Sequence, residues 1–491
     1  MTHCFWLSQF FLVVSMIATA LPAPANPTEY MVVTSDRLAS EFQLLASWHT
    51  AHGIPAEVRT VEWITANYPG VDDAESVRLF LLDAYSSFGT ILILLGGDAE
   101  VVPVRYVRSN YHTPTDILCD YYFMCLEGTW NADGDQHFGE VEDAVDLLPD
   151  VFVGRAPVST PSEAQAFVER TIAFATSPSG PDYPASALFL AERLGATHGA
   201  TIAESTRTFI PPSFALQRLY TEAGNWPGAI ELTRQAAISE LNAGYGLVLH
   251  VGNGDESSWG LGDAPLSIAD VQTLNNEPRF SVIYAFSGWT AAFDTDDAIG
   301  EHWVTSPGGA AAYVGCTNQA WLPPSEVLIN EWVRLLFTPG GMRIGPVSAF
   351  ARSLLIDQAQ TEGPARWMIF TLALLGDPSL RLRIDTPTAV DPVAAASVPA
   401  LILNDPTPNP FVAHTMIVFD LAGDVDNSEL AIYDICGRLR NRLLIGPLTR
   451  GRHAVRWGGE ALNGQAPPGT YFVRIEADGM ALSQKLVRVP H

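Results

Sequence analysis

The chain has 491 residues, a formal net charge of −27 at pH 7, and 47% apolar against 16% charged residues. That balance belongs to ordinary globular domains, with length enough for two or three full cores, and it excludes wholesale disorder. A surface this acidic repels phosphate backbones and anionic membranes, so no nucleic-acid partner is expected.

Phe5–Ala20 is a mostly apolar run, and Ala23-Pro24-Ala25 supplies the small residues of a cleavage site. Residues 1–25 are therefore expected to be a signal peptide, leaving an exported mature chain. The run is shorter than the roughly 20 apolar residues of a membrane span, and no later segment reaches that length. Cys119, Cys125, Cys316 and Cys436 remain after the leader, too few for a disulfide framework. Cys119 and Cys125 either pair or pack as small apolar side chains. No CxxC or HExxH metal spacing occurs.

From Tyr30 to Leu382 strand-like and helix-like runs alternate, which predicts a parallel α/β sheet. Strands are expected at Met31–Thr34, Ala56–Val61, Thr90–Leu95 and Asp150–Gly154, with helices at Leu38–His52, Ala74–Phe88 and Pro161–Ser177. After a Pro/Gly-rich break at Ser177–Pro184, strands are expected near Ala187–Leu190, Gly246–Val251, Ser281–Phe286 and Gly309–Val314, closing around Leu374–Leu382. Helices fall at Ala229–Ala243, Pro324–Phe337 and Val347–Gln360. Residues 386–399 read as an Ala/Pro/Val linker. Beyond it the period changes to two, and five short strands in about 90 residues imply a β-sandwich over 400–491.

Two glycine-flanked turns carry the chemical question. Gly252-Asn253-Gly254 follows one apolar strand and Ser287-Gly288-Trp289 another, at the open edge where α/β sheets place functional side chains. Neither offers a histidine or cysteine. Around them, Ile91–Asp98 through Val102-Pro103, Pro149–Val158, Gly308–Gly315 and Gly376-Asp377-Pro378 occur in the order of the strings of the gingipain family of cysteine peptidases. The chain resembles that family over roughly 30–382.

The resemblance implies a caspase-like α/β/α sandwich in two subdomains, 26–180 and 181–385. It also implies a dyad of histidine in a Gly-His-Gly turn and cysteine on a neighbouring strand end. An imidazole manages the thiol proton while backbone N–H groups receive the oxyanion. Carried over, the histidine position is Asn253 and the cysteine position Gly288. Asn253 cannot act as a base near neutral pH and Gly288 has no side chain, so a pseudopeptidase with a peptide-binding or scaffold role is expected. The alternative is an active endopeptidase with a relocated nucleophile such as Cys316. Ser287, Asp255, Glu256 and His302 are further residues near enough in sequence to serve a relocated site. His250, three residues before Asn253, reads as buried under the sheet. Trp289 and Trp321 are candidate walls for a peptide or protein ligand.

Asn131, Asp133, Asp135 and Glu140 place oxygen side chains around Gly134, a pattern that suits Ca²⁺ and equally an Asp/Asn-rich surface turn. The string resembles the acidic DxDGD loop of gingipain-like proteins. Pro406–Phe411, Ile432–Leu439 and Gly469–Val473 resemble the small immunoglobulin-like domains of FlgD-like and type IX secretion sorting modules. The implied role of 400–491 is sorting or cell-surface attachment, outside the cytoplasm.

Overall fold

The computed structural model describes residues 28–176, 183–294, 297–338, 341–382 and most of 401–489. The expected leader, the linker and Cys436 lie outside the described residues.

Eleven strands form one continuous sheet. They are β1 (Tyr30–Thr34), β2 (Ala56–Thr60), β3 (Leu92–Gly96), β4 (Phe152–Ala156), β5 (Ser186–Ala191), β6 (Ala215–Tyr220), β7 (Ile230–Glu231), β8 (Leu247–Val251), β9 (Ser281–Phe286), β10 (Ala310–Cys316) and β11 (Leu372–Gly376). Their order across the sheet is β7-β6-β5-β8-β9-β10-β11-β4-β3-β1-β2. The two α/β stretches are thus halves of one sheet, joined at β11.

The sheet is not wholly parallel. β11 runs antiparallel to β10 and parallel to β4, so two parallel blocks run in opposite directions. The cause is local: helix 364–371 leads into Leu372 without a crossover, and Thr317 N–H donates to the Thr371 carbonyl at 2.8 Å. β11 therefore starts at the edge where β10 stops.

Most strands are buried along their whole length, which is why they read as continuous apolar runs. Helices α1 (Ala39–Ala51), α2 (Asp73–Asp83), α3 (Pro161–Thr176), α4 (Gly199–Arg207), α5 (Arg234–Ala243), α6 (Ile299–Thr305), α7 (Pro324–Leu336), α8 (Ile344–Arg352) and α9 (Pro364–Thr371) cover both faces. Phe189, Leu249, Tyr284 and Val314 pack toward α4, α7, α8 and α9. Their neighbours Leu190, Val248, Ile283 and Tyr313 pack toward α5 and α6, as a period of two requires.

Three expected helices are shorter. α5 begins at Arg234 because Ile230–Glu231 pairs with β6 and the Thr233 hydroxyl caps Ala236 N–H. α8 ends at Arg352 and breaks into two 3₁₀ turns, and α2 passes into a π turn over Ala84–Phe88. Arg155, from the Pro149–Val158 string, is fully buried. It donates to both Asp120 oxygens at 2.8 Å, to the Gly97 and Val102 carbonyls, and lies 4.6 Å from the Phe293 ring. That string is therefore a structural anchor for the turn after β3.

The C-terminal strands are β12 (Leu401–Leu403), β13 (Thr415–Leu421), β14 (Ser428–Asp434), β15 (Leu439–Ile445), β16 (Gly451–Trp457), β17 (Gly469–Ala477) and β18 (Met480–Arg488). They form sheets β12-β13-β16 and β15-β14-β17-β18 over one core containing Phe419, Ile432, Trp457 and Val473. Among the described residues no helix is long and apolar enough to cross a membrane.

Candidate active site

Register assembles the site. Val251 on β8 pairs with Ala191 on β5 and with Phe286 on β9. The next residues, Glu192, Gly252-Asn253 and Ser287-Gly288, therefore leave the sheet side by side at one edge. Asn253 donates to Glu192 Oε1 twice, from its backbone N–H at 2.5 Å and its side-chain amide at 2.8 Å. Glu192 is 7% exposed and fills the space beside Gly260, where an added Cβ would lie 2.3 Å from the same oxygen. Sequence reasoning missed Glu192, because only the adjacency of β5 and β8 brings it to the turn.

The flanking glycines are required by close approach. A Cβ on Gly252 would stand 2.5 Å from His250 Nε2, and one on Gly254 2.8 Å from Ser287 Cβ. Gly288 has slightly more room: its nearest neighbours would be Gln319 Cα at 3.2 Å and Ala320 N at 3.3 Å. Trp289 follows with φ +58°, a strained conformation for a bulky residue, and its N–H donates to the Asn318 carbonyl.

The strand after Gly288's own, β10, ends in the loop that carries Trp321. This half-buried ring stands edge-on to Tyr111, with centroids 5.4 Å apart, and near His112 and Trp367. Trp367 Nε1 donates to the Gln319 carbonyl at 2.8 Å, holding the loop against Gly288. The Trp321 indole nitrogen is buried without a hydrogen-bond partner. Trp289 and Trp321 thus come from segments packed on Gly288.

Beneath this layer lies a closed network. His250 is fully buried and stacks on Trp259 at 4.5 Å with an interplanar angle of 4°. Its Nε2–H donates to the Gly260 carbonyl, which leaves Nδ1 to accept from the Ser287 hydroxyl, both at 2.9 Å. Trp259 Nε1 donates to the Tyr313 hydroxyl at 3.0 Å. Burial pushes His250 down to about 4, so the ring is neutral at pH 7. With both nitrogens committed, it serves packing.

Cys316 is 2% exposed, and burial pushes its thiol up to about 12. A nucleophilic cysteine needs a stabilised thiolate, which this environment opposes. Cys119 and Cys125 are free and buried, which decides their two readings in favour of packed thiols. Asp255 accepts from Ser257 and Ser258 within its own turn, and the Glu256 carbonyl accepts from Ile299 N–H at α6. His302 lies on α6, where burial lowers its basicity. Glu301, beside it, is pushed up to about 9 by burial and then by Asp98, whose own carboxyl burial raises to about 6.

The candidate cation loop gathers three of its four expected residues. Asp133, Asp135 and Glu140 offer oxygens within 4.8 Å of one another. Asn131 is committed to the turn, accepting from Gly134 N–H and donating to the Asp135 carbonyl. Arg366 on α9 donates to the Gly139 and Glu140 carbonyls, so this loop is tied to the helix that also carries Trp367.

The description Peptidase family C25 fits residues 23–383 of the chain. The protein belongs to that family. Gingipain R2 of Porphyromonas gingivalis is 22% identical over 395 residues, covering 75% of this chain and 48% of that protein. An uncharacterised protein of Archaeoglobus fulgidus is 23% identical over 333 residues, 59% of this chain and 75% of its own length. The chain therefore spans about half the length of the gingipain relative. Among solved structures, the Arg-specific cysteine proteinase gingipain R superposes with a TM-score of 0.60 at 17% identity, covering 96% of this chain and 100% of that one. A complex of the pro- and mature domains of the same proteinase type gives 0.59 at 16% identity. The body of this C25 protein is accordingly the caspase-like α/β fold expected from its strings.

Proposed function

We propose that this C25 protein is an exported pseudopeptidase that binds peptide segments at the β8–β9 edge without cleaving them. The observation that carries the reading is the double hydrogen bond from Asn253 to Glu192, at the position where the family resemblance calls for an imidazole. An amide satisfies the buried carboxylate but takes up no proton, and Gly288 supplies no nucleophile. Losing both members of such a pair removes most of the rate enhancement, because they act as a unit. The binding half of the reading rests on the Trp321–Tyr111–Trp367 wall, the orphaned Trp321 N–H and the strained Trp289. The net charge of −27 steers cationic peptides toward it. Export and surface attachment through the C-terminal sandwich complete the proposal.

Fluorescence anisotropy with a basic peptide library tests it. Saturable binding weakened about tenfold or more by Trp321→Ala is expected, and identical affinity in that variant would sink the role given to the wall. We further propose that Asp133, Asp135 and Glu140 hold Ca²⁺, a hard cation matched to carboxylate oxygens. Calcium should raise the Tm of the wild type and leave that of Asp133→Asn with Asp135→Asn unchanged.

A further inference from the structure

The chain contains one lysine among 27 basic residues. That lysine, Lys485 on β18, reaches out of the C-terminal sandwich and places its ammonium 3.2 Å from Asp150 Oδ1 of the α/β body. Its side chain is 27% exposed and that of Asp150 only 6%.

The receiving socket is built by the body itself. Asp150 Oδ2 already accepts from Leu126 N–H at 2.9 Å, and Asp150 N–H donates to the Met124 carbonyl. Arg78 fixes the same loop by donating to the carbonyls of Cys125, Glu127 and Gly128. Burial, then Asp150 and Asp146, push the Glu127 carboxyl up, and after the desolvation of the ammonium it is the charge of Asp150, with those of Tyr85 and Glu127, that acts on Lys485. Crowded carboxylates repel until a cation stands among them. Asp150 Oδ1 is the atom that accepts the ammonium.

The contact beside the socket is loosely packed. A cavity of about 450 Å³ lies between the two units, lined by Leu148, Leu354 and Ile356 of the body and by Tyr433, Phe472 and Arg474 of the sandwich. An interface that leaves such a space unfilled lacks the close apolar packing of a permanent one, so its charged contact weighs more in holding it. We propose that the C-terminal sandwich docks reversibly on the body, with the Lys485–Asp150 ion pair as the latch. Screening or neutralising the socket converts a docked unit into a tethered one. This inference is independent of the peptide-binding reading.

Lysine uniqueness makes the test direct. The full chain is acylated with a water-soluble N-hydroxysuccinimide ester, and Lys485 modification is followed by mass spectrometry with small-angle scattering in parallel. In low salt Lys485 of the wild type should react about tenfold more slowly than Lys485 of Asp150→Asn. In about 1 M NaCl, where charges are screened beyond roughly 3 Å, the two rates should converge as the radius of gyration of the wild type grows. Equal rates at every salt concentration overturn the latch. Faster labelling without any growth in radius overturns it too, since the lysine would then loosen without undocking. If Asp150→Asn fails to fold, the salt series on the wild type decides alone.

Discussion

The outer and inner layers of the β8–β9 edge differ in kind. The outer layer, Asn253, Gly288 and Trp289, lacks the base and nucleophile that the family resemblance assigns to it, yet each residue is held in place. The inner layer, Ser287, His250, Trp259 and Tyr313, contains the nucleophile-and-base residue types, but every polar atom named there is spent on a partner inside the protein. Residue type alone thus misleads. What separates a chemical group from a packing group is whether burial and hydrogen bonding leave it an available proton or lone pair.

Several changes would break or sharpen that contrast, beginning with the largest. Trp259→Ala should cost about 3–5 kcal/mol, as large-to-small changes of buried aromatics do, and leave Tyr313 without its donor. Trp289→Ala, in the half-exposed outer layer, should stay within about 1 kcal/mol. Chemical denaturation of both variants gives the comparison, and similar losses would erase the distinction between layers.

Two buried groups give pH signatures of opposite sign. His250 has its folded pKa depressed from 6.5 to about 4, so its stability contribution is full above about 6.5 and is lost as pH falls through 4. The loss should be about 3 kcal/mol, seen as the difference in pH dependence between wild type and His250→Phe. Glu301 is raised from 4.5 to about 9, so the folded protein holds a proton that the unfolded chain releases. Stability from that group is intact below 4.5 and declines as pH rises toward 9. Glu301→Gln should therefore stabilise by about 3 kcal/mol at pH 7 and not at all at pH 4, with the Ala298 N–H bond retained. A variant equally stable at both pH values relative to wild type would remove the raised pKa.

A small effect is expected at Asn253 as well. Asn253→Ala removes one of two donors to Glu192, and a loss of about 1 kcal/mol is expected from thermal unfolding.

Much of this arrangement is legible in sequence. Ser281–Phe286 is a strand to the residue, and the Gly252-Asn253-Gly254 turn announces itself because close approach at both glycines leaves no room for a side chain. What was not legible depended on contacts between distant segments. Ala215–Tyr220 carries Gln217 and Arg218 amid apolar neighbours, so its strand is visible only once β5 pairs with it. The reversed direction of β11 leaves no local trace, since an apolar run reads the same in either sense. Glu192 becomes part of the site through strand order, and His250 is withdrawn from it by Ser287 and Gly260, ten or more residues away.

The most direct test of the central claim is turnover. The purified protein, with Ca²⁺ present, is incubated with a mixed peptide library and a thiol-directed activity probe. The account predicts no cleavage and no labelled cysteine from a folded sample that still binds peptide. Cleavage that is abolished by alkylation, with the adduct on Cys316, would contradict it and establish a relocated peptidase.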